Sequence, residues 1–215
     1  MARGELHTFV FADISGYSLV SALAGDEAAA DMAIHFVSRA TSLAGAHGGE
    51  VVKGLGDAVM LHAESPAGSI RLALALMDEF GRDPAIPAIH AGLHTGPVLR
   101  RSGDWWGNTV NVAARVADAA QAGQLLVTQA AKLAAGDMAS TNFRGLGSLR
   151  LKNIPFPVQL YAASRSGTTS PCQGLGWRPS RTGVRIPVGT RAITTPAAGH
   201  RLAARFRCGG GGRSC

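Results

Sequence analysis

What most constrains this chain is a succession of short apolar runs, over its first 163 residues, whose periodicity switches between strand and helix at Gly, Pro, Asn and Asp breaks. Such runs can bury their apolar sides only by forming a sheet with helices packed upon it. His7 to Ala12 is a β-rich run that stops at Asp13, and Ile14-Ser15-Gly16 comes next as a turn able to present backbone N–H groups. From Tyr17 to Ala46 apolar residues recur at helical spacing, with Gly25-Asp26 a break between two helices. Glu50 to Lys53 and Asp57 to His62 read as two strands about Gly54-Leu55-Gly56, which sets Lys53 and Asp57 at the shoulders of one hairpin.

Ser65-Pro66 starts a helix whose amphipathic part runs from Ile70 to Phe80, and Ala88 to His94 is the next strand, ended by the turn Thr95-Gly96-Pro97. Thr109 to Ala119 reads as a helix with Asn108 as its N-cap, which places Asn111 and Arg115 on one face. A strand over Gln124 to Thr128, a short helix over Gln129 to Ala135, and strands over Phe143 to Lys152 and Val158 to Ala162 complete the pattern. The order, which opens βααββαβαβ, with apolar strands and one-sided helices, predicts an α+β sandwich of ferredoxin-like type.

Two domains of unlike composition are expected, a folded unit over 5–163 and a low-complexity tail over 164–215. Residues 1–164 carry 12 Lys and Arg against all 14 acidic residues, whereas 165–215 carry nine Arg and no acid. The net charge of +7 therefore belongs to the tail and says nothing about nucleic acid at the folded part. Rich in Gly, Pro, Ser, Thr and Arg, the tail is expected to be disordered, and nucleic-acid binding is a weaker reading of its arginines. Cys172, Cys208 and Cys215 all lie there, so the folded unit has no disulfide and no thiolate metal site, and a reducing cytoplasm is its expected home. No run of apolar residues is long enough to span a membrane, and the N-terminal run, broken by Asp13, fits a strand better than a signal peptide.

The polar residues that interrupt this pattern form a set. Asp13 and Asp57, at the ends of strands, suit a hard divalent cation, because Mg²⁺ takes one or two carboxylates and completes its shell with water and phosphate oxygens. Taken singly, Asp13 also reads as a helix cap, Lys53 as a solvated hairpin residue, Asp104 as a turn former and Arg115 as helix surface. Trp105 and Trp106 read as interface residues rather than a base stack, and His35, His47, His62, His90 and His94 read as structural.

The segments FADISGYS, KGLGDAVM, GDWWGNTVNVAAR and LRLKNIPFPV, in that order, resemble the catalytic domain of class III nucleotidyl cyclases, in particular the bacterial adenylyl cyclases. The resemblance covers about residues 5–163 and implies the nucleotidyl cyclase sandwich. By that likeness Asp13, Asp57 and the Ile14 carbonyl hold two divalent ions, Mg²⁺ or Mn²⁺, and the turn including Ser15, Gly16 and Tyr17 cradles phosphates through backbone N–H groups. Lys53 and Asp104 match the purine-selecting pair: a Lys donor and an Asp acceptor fit adenine, which offers an acceptor at N1 and a donor at N6. Asn111 and Arg115 match the transition-state pair, and Lys152 the lysine that supports the departing pyrophosphate. The resemblance implies an adenylate cyclase that converts ATP to 3′,5′-cyclic AMP and pyrophosphate in a head-to-tail homodimer with sites at the interface. A guanylate cyclase and a catalytically silent nucleotide-binding or heterodimerisation module are the alternatives. With a metal-activated hydroxyl, no histidine base is expected nearby.

Overall fold

The structure is a computed structural model that describes residues 5–167. In chain order its elements are β1 (Leu6–Ile14), α1 (Tyr17–Ala24), α2 (Asp26–Ala46), β2 (Glu50–Gly54), β3 (Ala58–Ala63), α3 (Pro66–Phe80), β4 (Ile89–Pro97), β5 (Leu99–Arg101), β6 (Asp104–Trp106), α4 (Asn108–Asp118), β7 (Leu125–Thr128), α5 (Gln129–Ala135), β8 (Thr141–Leu149) and β9 (Val158–Arg165). Seven strands form one sheet in the order β2-β3-β1-β4-β7-β9-β8, and β5 pairs only with β6. Every neighbouring pair in the large sheet is antiparallel except β4 and β7, which are joined through the hairpin and α4 and run parallel. The expected mixed α+β sheet with covering helices is what forms.

Alternation along β1 divides the molecule into its two layers. Val10, Ala12 and Ile14 enter the larger core with Phe36 and Ala40 of α2 and Ile70, Leu72 and Leu76 of α3. Phe9 turns the other way, with Met60 of β3 and Ala113 of α4, and Phe11 and Trp105 pack against them. Phe9, Phe36 and Phe80 are almost fully buried, and each such side chain contributes about 2–3 kcal/mol relative to exposure. All four residues of β7 are buried, as a strand covered on both faces requires.

Local chemistry sets several boundaries. Ser65 caps α3, its hydroxyl accepting from the Gly68 N–H at 3.1 Å, with Pro66 in the first turn. Thr128 does the same for α5, accepting from Ala131. The break between α1 and α2 falls at Gly25, as its composition predicts.

Several boundaries differ from expectation; β1, for one, runs through Asp13 to Ile14, so the turn begins at Ser15. β4 does not turn at Thr95-Gly96-Pro97: those residues pair with Thr8, His7 and Leu6, and the long-range ladder overrides the local turn composition. Asn108 is the first residue of α4 rather than its cap, a place held by Gly107 without any side-chain bond. β8 ends at Leu149, so Lys152 lies in the connection to β9. β9 reaches Arg165, three residues past its expected end, because Thr141 of β8 continues the pairing. The segment after 167, with the tail's cysteines and the expectations of disorder and nucleic-acid binding, lies outside the described residues. Among the described residues no helix is long and apolar enough to cross a membrane.

Candidate active site

The second face of the sheet, the one that α4 covers, carries the polar set. α4 lies directly on β4 at Gly92, where a Cβ would stand 2.1 Å from the Ala117 backbone nitrogen, and its first turn is tied down by the Thr109 hydroxyl donating to the Pro97 carbonyl at 2.7 Å. Only glycine permits so close an approach of helix to strand. α4 thereby runs its C-terminal end toward the end of β1 that bears Asp13.

At that end Asp13 stands between Ala58 of β3 and His90 of β4. The Ile14 N–H donates to the Asp57 carbonyl at 3.1 Å, which draws the β2–β3 connection against the end of β1. Burial, the adjacent Asp57 carboxylate and, less, Asp118 at the end of α4 push the Asp13 carboxyl up to about 6. The donor set is carboxylate oxygens with a backbone carbonyl within reach, which fits a hard divalent ion, and such an ion would remove the repulsion that raises Asp13. Among the described residues no three His, Cys, Asp or Glu side chains close into a cage. A site that keeps positions for water and phosphate needs none.

The turn after Asp13 keeps only part of the N–H array the sequence suggests, because Ile14 continues β1 and its N–H, like that of Ser15, is bonded within the chain. Gly16, at φ 80°, caps α1, and the Ser15 N–H donates to the Ala88 carbonyl at 3.0 Å. Tyr17 is partly buried and packs against the larger core. His90, read from the sequence as a structural residue, stands beside Asp13 and Ser15. It lies opposite Asp13 in the β1–β4 register, its Nε2 4.0 Å from the carboxylate and its Nδ1 3.0 Å from the Ser15 hydroxyl. Burial lowers its pKa, which keeps the ring neutral near neutral pH.

Lys53 and Asp104 come together although 51 residues separate them: Nζ donates to Oδ2 at 2.5 Å, and the other carboxylate oxygen accepts the Trp105 N–H at 2.8 Å. The Lys53 bond holds the Asp104 carboxyl below its usual range. A bulge between Val51 and Lys53 turns the lysine to the α4 side, and the tight β5–β6 hairpin brings Asp104 to meet it. On α4, Asn111 is exposed, and Arg115 donates to Asp118 at 2.6 Å. Lys152 is exposed, but the preceding Leu151 is buried with Val112 and Val116 of α4, so its connection is docked on the helix that carries Asn111 and Arg115. Sequence reasoning does not single out His90 and Asp118 as site residues. The one signal for His90 is its period-2 relation to Gly92 and His94 on a single strand.

An α+β sheet that carries an acidic pair, a glycine-capped turn and a Lys–Asp pair has the makings of a nucleotide-handling domain. The chain belongs to the family of adenylate and guanylate cyclase catalytic domains, whose model matches residues 2–153. It is 32% identical over 167 residues to the pH-sensitive adenylate cyclase of Mycobacterium tuberculosis, a match covering 75% of this chain and 41% of that protein. An adenylate cyclase of Streptomyces coelicolor is 32% identical over 120 residues, covering 56% of this chain and 32% of that one. The chain thus spans less than half the length of these curated relatives. The fold is also that of an adenylate cyclase from Trypanosoma brucei solved in its monomeric state, with a TM-score of 0.71 at 23% identity, covering 80% of this chain and 92% of that one.

Proposed function

We propose that residues 5–163, with the last residues of β9, act as an adenylate cyclase catalytic domain that converts ATP to 3′,5′-cyclic AMP and pyrophosphate. The observation that carries the choice of ATP is the Lys53–Asp104 clamp, which offers a donor to adenine N1 and an acceptor to its N6 amino group. Guanine presents the reverse pattern and would leave both groups mismatched, a penalty of several orders of magnitude when the site is closed. Two divalent ions, Mg²⁺ or Mn²⁺, bound to Asp13, Asp57 and the Ile14 carbonyl would supply the Lewis acidity that makes the ribose 3′-hydroxyl a nucleophile and balances the phosphate charge.

The remaining roles belong to the chain. The turn that includes Ser15, Gly16 and Tyr17 meets the terminal phosphates with the backbone N–H groups of Gly16, Tyr17 and Ser18, those of Ile14 and Ser15 being bonded to the Asp57 and Ala88 carbonyls. Asn111 orients the ribose. The 3′-oxygen forms its bond to the α-phosphorus as the bond to the pyrophosphate oxygen breaks, and Arg115 meets the charge that builds on the α-phosphate. To do so it leaves Asp118, a partly exposed partner that gives it up readily. Lys152 supports the departing pyrophosphate.

In this reading two chains pair head to tail, one supplying Asp13 and Asp57 and the other Lys53, Asp104, Asn111 and Arg115. Cyclic AMP and cyclic GMP are measured from ATP and GTP with Mn²⁺ or Mg²⁺ across a protein dilution series, with Asp57→Ala as control. Metal-dependent cyclic AMP that falls away on dilution and vanishes in the control is the expected result. Dominant cyclic GMP moves the assignment to a guanylate cyclase, and ATP binding without any product moves it to a silent nucleotide-binding module.

A further inference from the structure

At the end of β1 opposite Asp13, on the same face, a second cluster has no part in the chemistry above. The His7 Nδ1 and His62 Nε2 atoms are 2.9 Å apart, and His62 Nδ1 is 3.2 Å from a Glu50 carboxylate oxygen. A carboxylate only accepts, so His62 Nδ1 carries the proton, its Nε2 is a bare acceptor, and His7 Nδ1 donates to it. The Trp105 ring lies against this pair, 4.5 Å from His62 and 4.7 Å from His7 between centroids, with Phe9 at 5.6 Å and the Arg100 guanidinium 5.0 Å from the indole.

Trp105 has a mechanical task. The β5–β6 hairpin makes no ladder with the seven-stranded sheet, and apolar packing of Val98 and Trp105 on Phe9 and Met60 seats it there. Asp104 precedes Trp105 and takes its N–H, so the seat of the indole sets where the carboxylate points. We infer that His62 is a positioning residue for base recognition: bonded between Glu50 and His7, it seats Trp105 and thereby holds Asp104 in place for Lys53 and the base. This rests on the proposed role of the Lys53–Asp104 clamp.

The arrangement depends on one bare nitrogen. A proton added to His62 Nε2 would set two N–H groups against each other across 2.9 Å, or force His7 to move its own proton to Nε2 and reverse the bond; either way it puts a positive charge against the indole and disturbs its seat. Burial pulls His62 below the usual imidazole range, and the Glu50 bond only partly offsets it, so the ring is neutral at neutral pH and charges only on acidification. The other charged groups facing the cluster are Glu5 before β1, Glu64 after β3 and Arg100 on β5, which line a cavity of about 400 Å³ with the two histidines. β4 places His94 beside Phe9, bonded to Thr128 and held by burial at about 4, and α4 offers only Val110 and Ala113 here.

Two measurements test the inference. With Trp106→Phe and Trp177→Phe, Trp105 becomes the sole tryptophan, and its fluorescence is followed from about pH 8 to about pH 4.5. Because a charged imidazole quenches an adjacent indole, a transition in the acid half of that range is expected, and in His62→Phe it should be lost or reduced to what His7, the other imidazole on the indole, contributes; an unchanged transition in His62→Phe would overturn the inference. In the full chain, His62→Ala should raise the KM for ATP roughly tenfold, leave kcat within about twofold and lower selectivity for ATP over GTP roughly tenfold, whereas His62→Phe, which keeps a ring on Trp105, should restore most of that selectivity. A purely structural role would lower thermal stability and leave the KM ratio of the folded enzyme unchanged. A flat fluorescence titration, or unchanged ATP selectivity in folded His62→Ala, overturns the inference. If the wild-type chain makes no cyclic nucleotide, it is the cyclase reading that has failed, and the Trp105 titration decides the seating by itself.

Discussion

Asp13 carries the clearest electrostatic tension in the molecule. Its carboxyl is pushed up to about 6 by burial and by Asp57, so above that pH the folded chain holds a charge that the unfolded chain, with an ordinary value of 3.8, carries without penalty. A raised carboxyl therefore subtracts stability at neutral pH, and the loss is relieved as pH falls through about 6. Asp57→Asn is predicted to abolish cyclase activity yet raise the melting temperature of the metal-free protein at pH 7.5, with the gain shrinking below about pH 6. Melts in chelator across pH check the sign, and a lower melting temperature at every pH would count against the acidic pair. The Lys53–Asp104 pair belongs to another class of interaction: it is half exposed, adds little to stability, and matters through its donor and acceptor pattern. The double substitution Lys53→Glu with Asp104→Cys should leave the melting temperature nearly unchanged and shift preference toward GTP. Comparison of kcat/KM for the two nucleotides reads this directly.

Among the elements, α4 is the one whose character is plain in the sequence and whose placement is not. Its alanine content and the spacing of Asn111 and Arg115 mark a helix with one polar face. Its seat on Gly92 is visible only in three dimensions, because a glycine in a strand pattern equally signals a bulge or a weak point. Gly92→Ala would drive a methyl into the backbone of Ala117 and Val116, which no rotamer change relieves. The expected cost is about 3 kcal/mol or more, or a fall of roughly 10 °C in melting temperature, with activity lost as Asn111 and Arg115 shift. Circular-dichroism melts check it, and a well-folded, fully active Gly92→Ala protein would mean that α4 is not held where it is seen. The boundary differences share one cause: local composition marks a turn at Thr95-Gly96-Pro97 and a cap at Asn108, while pairing with β1 carries β4 past the turn and the conformation of Gly107 puts Asn108 inside the helix.

For the whole molecule, the proposed site spans two chains, and complementation tests that division of labour. Asp57→Ala and Arg115→Ala are each expected to be inactive as homodimers, but a mixed dimer would keep one intact site out of two. Random exchange of equal amounts should restore about a quarter of the wild-type rate. No recovery after verified exchange would place all the catalytic residues in one chain.

Read alone, the sequence determined the class of the fold, because periods of 2 and 3.6 residues and the glycine and proline breaks are local properties. It also marked Asp13, Lys53, Asp57, Asp104, Asn111 and Arg115 as one candidate set, through four motifs in a family's order. Only the tertiary structure decided which residues face one another. The strand order β2-β3-β1-β4 is a non-local quantity, and from it, with the packing of the β5–β6 hairpin on its face, come the bond between Lys53 and Asp104, the place of His90 beside Asp13, and the stack of Trp105 on His62 and His7. A one-residue shift in any of those registers would turn each side chain to the opposite face of the sheet, and no local pattern in the chain records which register wins.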